Sequence, residues 1–259
     1  DLCKQLEEKY GLTEALIAVP AYEQSSDQEV AFQAVDYILR VLKKNMVFGM
    51  TWGRAMHEFV EQLAKDERLR SLSFQNVKVV PFLGTPGAIQ SDSWNTTTYS
   101  NTLATKVGNL LHCASYNLSA PMYVEGTKEK ELIESIDEIA KVLHMAETAD
   151  IALIGIGSMQ DDSSIIKAEI RTREEYKELV RKGAVGEIVG RIYDKNGQTV
   201  DEDLKRKMVG ISLDKIAKIP VRVGMSYGKD KIEAIKGAIA GGLVNVLVTD
   251  VPTAELLLK

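Results

Sequence analysis

Short apolar runs alternate with longer stretches in which apolar residues return about every three or four positions, nearly from end to end of the chain. "ALIAV" (15–19) is followed by a helical pattern over 27–44, where Val30, Ala31, Ala34, Ile38 and Leu42 share one face. "MVFGM" (46–50) precedes a helix carrying Met56, Phe59, Val60 and Leu63. "VKVVPF" (77–82) leads through a polar loop to a helix near 95–113. "APMYV" (120–124) reads as a strand before one helix over 128–145, with Leu132, Ile136, Ile139 and Leu143 in phase. "IALIGIG" (151–157) has no polar side chain, as a strand buried on both faces requires. A helix at 172–182 comes next, then a β-rich section at 187–211 with a hairpin turn at "DKNGQ" (194–198). The strand "IPVRVGM" (219–225), a helix at 229–240, the strand "VNVLVTD" (244–250) and a last helix starting at Pro252 complete the pattern.

Strands alternating with helices of about 10 to 18 residues predict right-handed βαβ units and a mostly parallel sheet with helices on both faces. No low-complexity segment or flexible linker interrupts the alternation. The expectation is one α/β domain over residues 1–259 with a small β-rich insertion.

Composition narrows the class. Apolar residues make up 45% of the 259, enough to fill a large core. No run approaches the roughly 18 apolar residues that a membrane-spanning helix needs. The net charge of −5 leaves no concentrated basic face for nucleic acid, so the chain by itself is not expected to bind DNA. Cys3 and Cys113 fit neither a metal nor a redox spacing and are expected as thiols in a reducing cytosol. The first ten residues, "DLCKQLEEKY", are charged and helical, unlike a signal peptide. The chain opens without Met inside a helical pattern, as a fragment lacking its N-terminal part would.

Candidate chemistry gathers in loops. In parallel α/β sheets, ligands bind beyond the carboxyl ends of the strands. Four loops leave such ends with unusual residues: Gly49-Met50-Thr51-Trp52-Gly53-Arg54, Gly84-Thr85-Pro86-Gly87, Gly155-Ile156-Gly157-Ser158 and Ser226-Tyr227-Gly228-Lys229-Asp230-Lys231. Together they point to a pocket, with Gly84, Thr85, Gly155 and Gly157 among its lining residues. Two readings of the first loop stand side by side. As an anion cradle, its backbone N–H groups from Gly53 to Ala55 face the ligand and Thr51 donates a hydroxyl. Arg54 then adds charge or faces solvent. As a tight turn, it uses Trp52 as core filler. Lys231, at a helix start, opposes the dipole and is either an anion ligand or a solvated lysine. Glu187, the lone acid in "GAVGEIVG", is either buried and hydroxyl-binding or placed at a strand edge.

"GIGSMQ" lacks the third glycine of a dinucleotide fingerprint, which argues against a nicotinamide site. His57, His112 and His144 form no cluster in the sequence, and no serine elbow, zinc spacing or P-loop occurs. No catalytic residue, metal or cofactor is expected. The charge-rich "TREEYKELVRK" (172–182) is expected to be a solvated helix face.

The chain resembles the effector-binding domain of the SorC family of bacterial sugar-responsive transcriptional regulators, grouped with DeoR-type regulators. The resemblance spans nearly the whole chain. It is carried by "VFGMTWGRAM", "VKVVPFLGT", "SAPMYV", "ADIALIGIG", "KGAVGEIVGRIYDKNG" and "KIEAIKGAIAGGLVNVLVTDVPTAELLL", the last two being the most specific. It implies a Rossmann-like fold shared with sugar-phosphate isomerases and CoA transferases. It also implies a phosphorylated-sugar effector, assembly as a homodimer or homotetramer, and operator DNA bound through a helix-turn-helix domain lying before residue 1. Carried over residue by residue, it puts the phosphate on the first loop, around Thr51, Trp52, Gly53, Arg54 and Ala55. It puts Glu187 near sugar hydroxyls and Lys231 on the effector.

Three positions depart from the family pattern. Ala55 stands where relatives often have Ser or Thr, and Leu83 where several have a basic residue. Tyr227-Gly228 replaces a Gly-Gly pair and brings a ring towards the pocket. These changes point to an effector smaller or less anionic than a bisphosphate. The alternative function is a sugar-phosphate isomerase on the same fold, with Asp92, Asp161 or Glu187 as its base.

Overall fold

The computed structural model describes residues 1–19, 26–86, 96–161 and 163–259; Gly87 and Asp92 lie outside these. The strands are β1 Glu14–Ala18, β2 Val47–Met50, β3 Lys78–Pro81, β4 Ala114–Ser115, β5 Ile151–Gly155, β6 Gly157–Ser158, β7 Ala184–Ile188, β8 Arg191–Asp194, β9 Val221–Met225 and β10 Val246–Asp250. Seven of them make one sheet in the order β1-β10-β9-β5-β2-β3-β4, with every neighbouring pair parallel. The other three form an antiparallel sheet with β7 in the middle.

The helices are α1 Leu2–Tyr10, α2 Ser26–Val41, α3 Arg54–Leu63, α4 Ser100–Leu110, α5 Thr127–Glu134, α6 Asp137–Glu147, α7 Ser164–Lys167, α8 Arg173–Arg181, α9 Glu202–Lys207, α10 Leu213–Ile216, α11 Ile232–Ala240 and α12 Val251–Leu258. Successive strand residues point to opposite faces of the large sheet. Phe48, Met50, Val79, Leu153, Val223 and Val248 pack with α2, α3 and α4, while Ala152, Ile154 and Leu247 pack with α1, α11 and α12. The apolar runs are uninterrupted because both faces are covered. The charged helix is α8, whose Tyr176 and Leu179 are buried while its charged positions face solvent.

Three elements differ from the sequence expectation. The helix expected over 128–145 is two helices, because Ile136 is extended between them (ψ 122°). The Ser135 hydroxyl bonds the Leu132 carbonyl at 2.7 Å, and Asp137 and Glu138 open a new first turn, where the dipole favours acids. Leu132 and Ile136, in phase on paper, are therefore exposed. The segment 120–124 is not a strand. Pro121 has no N–H, and the backbone makes single bridges to Thr85 on one side and Met208 on the other. The edge of the sheet is β4 instead. The β-rich section is shorter than 187–211 at its far end, where α9 forms. Its turn does form, with Asp194 Oδ1 accepting the Asn196 and Gln198 N–H groups, each at 2.9 Å.

Candidate functional site

The chain reverses its winding between β2 and β5. From β2 it moves outward through β3 to β4, and from β5 it moves the other way through β9 to β10. Connections that leave neighbouring strands in opposite directions open a crevice at their carboxyl ends. The first and third glycine-marked loops leave these two ends, and the fourth leaves β9 beside them.

The first loop answers to two separate demands for glycine. At Gly49 a Cβ would lie 2.0 Å from the Phe82 ring, so no side chain fits. At Gly53 there is open space, but φ is +105° with ψ −179°, a conformation essentially reserved for glycine. Gly53 caps α3 without a side-chain hydrogen bond, and its own N–H goes to the Thr98 carbonyl at 2.9 Å. Its N–H, one of those the cradle reading turns towards an anion, is therefore taken within the fold, as the tight-turn reading allows. The N–H groups one to three positions on, at Arg54, Ala55 and Met56, have no acceptor within the helix. Arg54 is exposed, and Ala55 is half-buried.

Thr51 is fully enclosed. Its hydroxyl oxygen accepts the Gly155 N–H at 3.0 Å, and its N–H bonds the Leu153 carbonyl at 3.1 Å. Through that oxygen it ties the ends of β2 and β5 together. Trp52 is buried in the core, as a filler would be, yet its indole N–H also donates to the Glu187 carboxylate.

Glu187 lies in the middle strand of the small sheet and is buried, so it is not at a strand edge. Its Oε1 accepts the Gly190 N–H, and a Cβ on Gly157, its cross-strand neighbour, would come within 2.8 Å of Oε2. Burial raises its pKa to about 7, while the Gly190 N–H, the Lys231 charge and the Trp52 hydrogen bond pull the other way. Trp52, Gly157, Glu187 and Lys231 thus come together, although three separate loops and the strand β7 carry them.

The loop after β9 is tied on both sides. Asp230 Oδ2 accepts the Ser158 hydroxyl at 3.1 Å, and the Gly228 N–H donates to the Thr253 hydroxyl at 2.8 Å. The Tyr227 hydroxyl donates to Asp27 in the first turn of α2. Sequence reasoning named Ser158 and Asp230 only as members of their loops and missed Asp27. Only their position at strand ends and helix starts could have marked them.

Gly84 and Thr85 are held by other partners. A Cβ on Gly84 would be 2.5 Å from the Ala120 carbonyl oxygen, and the Gly84 N–H bonds the Val209 carbonyl at 3.1 Å. The Thr85 hydroxyl accepts from Asn101 at 2.9 Å and borders an open cleft of about 530 Å³ with Thr105, Lys106 and Asn117. A larger groove of about 840 Å³ runs along β4 and α6, lined by Tyr116, Val142 and Met145, and touches none of the candidate residues. Among the described residues no group of three or more His, Cys, Asp or Glu side chains is placed to hold a metal ion. No helix among them is long and apolar enough to cross a membrane.

Residues 1–259 match the family model described as "Putative sugar-binding domain". The sorbitol operon regulator of Klebsiella pneumoniae is 30% identical over 260 residues, covering 99% of this chain and 79% of that protein. The deoxyribonucleoside regulator of Bacillus subtilis is 25% identical over 257 residues, covering 98% of this chain and 78% of that protein. Among solved structures, the full-length sorbitol operon regulator SorC from Klebsiella pneumoniae has a TM-score of 0.88 at 28% identity, over 100% of this chain and 80% of that one. A DeoR family transcriptional regulator from Listeria monocytogenes has a TM-score of 0.85 at 25% identity, over 99% and 98%. With the family model, the sequence relatives and the fold in agreement along its length, the chain belongs to the sugar-binding domains of the SorC family of transcriptional regulators.

Proposed function

We propose that this domain senses a phosphorylated sugar in the crevice at the carboxyl ends of β2, β5 and β9. The observation that carries the reading is the reversal between β2 and β5, with the start of α3 opening onto it without a side-chain cap. The phosphate sits on the N–H groups of Arg54, Ala55 and Met56, where the helix dipole favours an anion, and Arg54 adds a charge-assisted hydrogen bond. Glu187 accepts sugar hydroxyls, Lys231 reaches the effector, and Gly155 and Gly157 let it approach the backbone. Thr51, Trp52 and Gly53 shape the loop, while Gly84 and Thr85 support the neighbouring loop.

Residues 1–259 then act as one effector-binding and oligomerisation unit, in a homodimer or homotetramer. Operator DNA is bound by a helix-turn-helix domain preceding it. The effector acts by binding one arrangement of subunits more tightly than another. Calorimetry with matched phosphorylated and unphosphorylated sugars tests the core of this reading. At least one phosphorylated sugar should bind more tightly than its unphosphorylated partner, and Arg54→Ala should weaken it about tenfold. Equal affinity for both members of every pair overturns the phosphate site.

One observation favours an isomerase as the second reading. A buried carboxylate held near neutrality, as Glu187 is, has the properties of a general base. Asp161 is exposed and lacks that environment. Turnover of a sugar phosphate, lost in Glu187→Gln, would decide for the enzyme.

A further inference from the structure

The donors around Glu187 favour one protonation state, and its burial favours the other. The Gly190 N–H and the Trp52 indole N–H donate to the carboxylate, and the charge of Lys231 acts on it from the loop after β9; all three support the ionised group. Enclosure in the small sheet supports the neutral group, and the two tendencies meet at about pH 7. One more hydrogen bond is enough to decide between them. The elements packed around β7 leave that choice to Glu187. Tyr193, on β8, donates its hydroxyl to the Ala234 carbonyl at 2.8 Å, and burial keeps it neutral far above the usual phenol range. Helix α11 lays Ala234 and Gly237 against β7, while its Glu233 and Lys236 act on Tyr10. Helix α8 turns Tyr176 and Leu179 inward and its charged positions outward. Beside Lys231, the Asp230 carboxylate is taken by the Ser158 hydroxyl.

We infer that effector binding at this site expels a proton: the sugar hydroxyl that Glu187 accepts replaces the proton on its buried carboxylate, and Trp52 is the positioning residue that holds the carboxylate ready for it. The inference rests on the reading above, in which Glu187 accepts a sugar hydroxyl, and adds a proton to that step. The sugar hydroxyl keeps its own hydrogen and donates it to the carboxylate, and the proton of Glu187 passes to solvent. Linkage makes the effect reciprocal: a site that loses a proton on binding holds its ligand more weakly as pH falls. Trp52 contributes from the other side of the crevice. It lies two residues before Arg54, so the loop that leads to the expected phosphate cation also carries the donor that fixes the sugar-facing acid.

Two measurements on the full chain test this, the first without any ligand. Trp52 and Trp94 are the two tryptophans, so Trp94→Phe leaves Trp52 as the single emitter. Its emission should titrate with a midpoint at about pH 7, as the indole N–H gains an ionised acceptor, and adding Glu187→Gln should abolish that step. The second is calorimetry with fructose 6-phosphate, glucose 6-phosphate, ribose 5-phosphate and their unphosphorylated parents, in buffers of different protonation enthalpy. For a sugar phosphate that binds, wild type should release about three-quarters of a proton more than Glu187→Gln at pH 6.5, and its affinity should fall about tenfold more between pH 8 and pH 6. The phosphate group's own proton, with a pKa of roughly 6, is common to both proteins and cancels. Trp52→Phe keeps a ring in the core but removes the donor, so the fall in affinity should move to higher pH by about one unit, with wild-type affinity approached again at pH 9. A merely structural tryptophan would lower affinity equally at every pH, and that result overturns its positioning role. Equal proton release from wild type and Glu187→Gln overturns the linkage and leaves the phosphate site standing. Emission that ignores pH overturns the Trp52–Glu187 contact and the inference with it. A titrating emission with no sugar phosphate bound, or none preferred over its parent, overturns the effector reading and the linkage together, while the contact stands.

Discussion

Replacing Glu187 with Gln tests the buried carboxylate through stability, without any ligand. The folded group has a pKa of about 7 against 4.5 in the unfolded chain, because burial penalises its ionised form. That difference corresponds to about 3 kcal/mol. The sign follows from proton counting. Below pH 4.5 both states hold the proton and the group has no effect on stability. Between about 4.5 and 7 the unfolded chain releases it while the folded chain retains it, so stability falls as pH rises. Above about 7 both states are ionised, and the full loss persists. Wild type should therefore lose about 3 kcal/mol over this window through Glu187 alone, and Glu187→Gln should not.

Other carboxylates and histidines titrate in both proteins, so the measurement is the difference between them. Urea unfolding at intervals from pH 4 to 8.5 supplies it. Gln keeps an oxygen for the Gly190 N–H, and any packing cost of the new amide is a constant offset that leaves the pH dependence intact. At about 2–4 °C per kcal/mol for a domain of this size, the melting curves should separate by roughly 6–12 °C more at pH 8 than at pH 4.5, in favour of the variant. Parallel stability curves across the whole range would show that Glu187 titrates as an ordinary exposed acid, and its burial against Gly157, Trp52 and Gly190 would be refuted.

Three further outcomes are expected. Thr51→Val leaves the Gly155 N–H without its acceptor in a closed space and should cost about 1–3 kcal/mol in urea unfolding, while Thr51→Ser should recover most of it. Gly53→Ala meets no neighbouring atom but must hold φ +105°, so it should cost about 1–3 kcal/mol by backbone strain alone; this also makes larger residues at Gly53 poor tests of ligand contact. Arg191→Leu removes a buried guanidinium that donates to the carbonyls of Lys205 (2.9 Å), Met208 (3.2 Å) and Gly210 (3.1 Å), and should lower stability by about 3 kcal/mol or more, read from the urea midpoint.

The alternation of strands and helices was legible because covering a parallel sheet on both faces forces unbroken apolar runs such as Ile151 to Ile154. The break at Ser135-Ile136 was hidden because Leu132, Ile136, Ile139 and Leu143 stay in phase across it, and periodicity does not register an interruption that preserves phase. Strand order was not legible. Pairing Phe48 with Ile151 depends on the packing of the whole sheet, so the reversal that locates the crevice cannot be read from any one segment. Loop chemistry was legible only as a set of residue types. A threonine before a tight turn can face ligand or core, and only the folded sheet shows that the Thr51 hydroxyl oxygen is taken by the Gly155 N–H of the neighbouring strand end. The partners of Glu187 come from three other loops, and nothing local to "GAVGEIVG" names them.

The crevice has two sides with different chemistry, and the first loop belongs to both. Trp52 turns into the core face that holds α11 and α12, where it bonds Glu187. Arg54, two residues on, lies on the face of α2 and α3 and acts on Tyr227. Between them stands Gly53, in a conformation that lets consecutive residues serve opposite faces of one sheet. The loop cannot shift at one end without consequence at the other. Its N-terminal end is fixed by the Thr51–Gly155 bond, and its C-terminal end is the first turn of a rigid helix. A ligand that pulls on the start of α3 is therefore felt at Trp52 and Glu187 through a path of three residues. Gly53 itself is held in that path, by the hydrogen bond from its N–H to the Thr98 carbonyl.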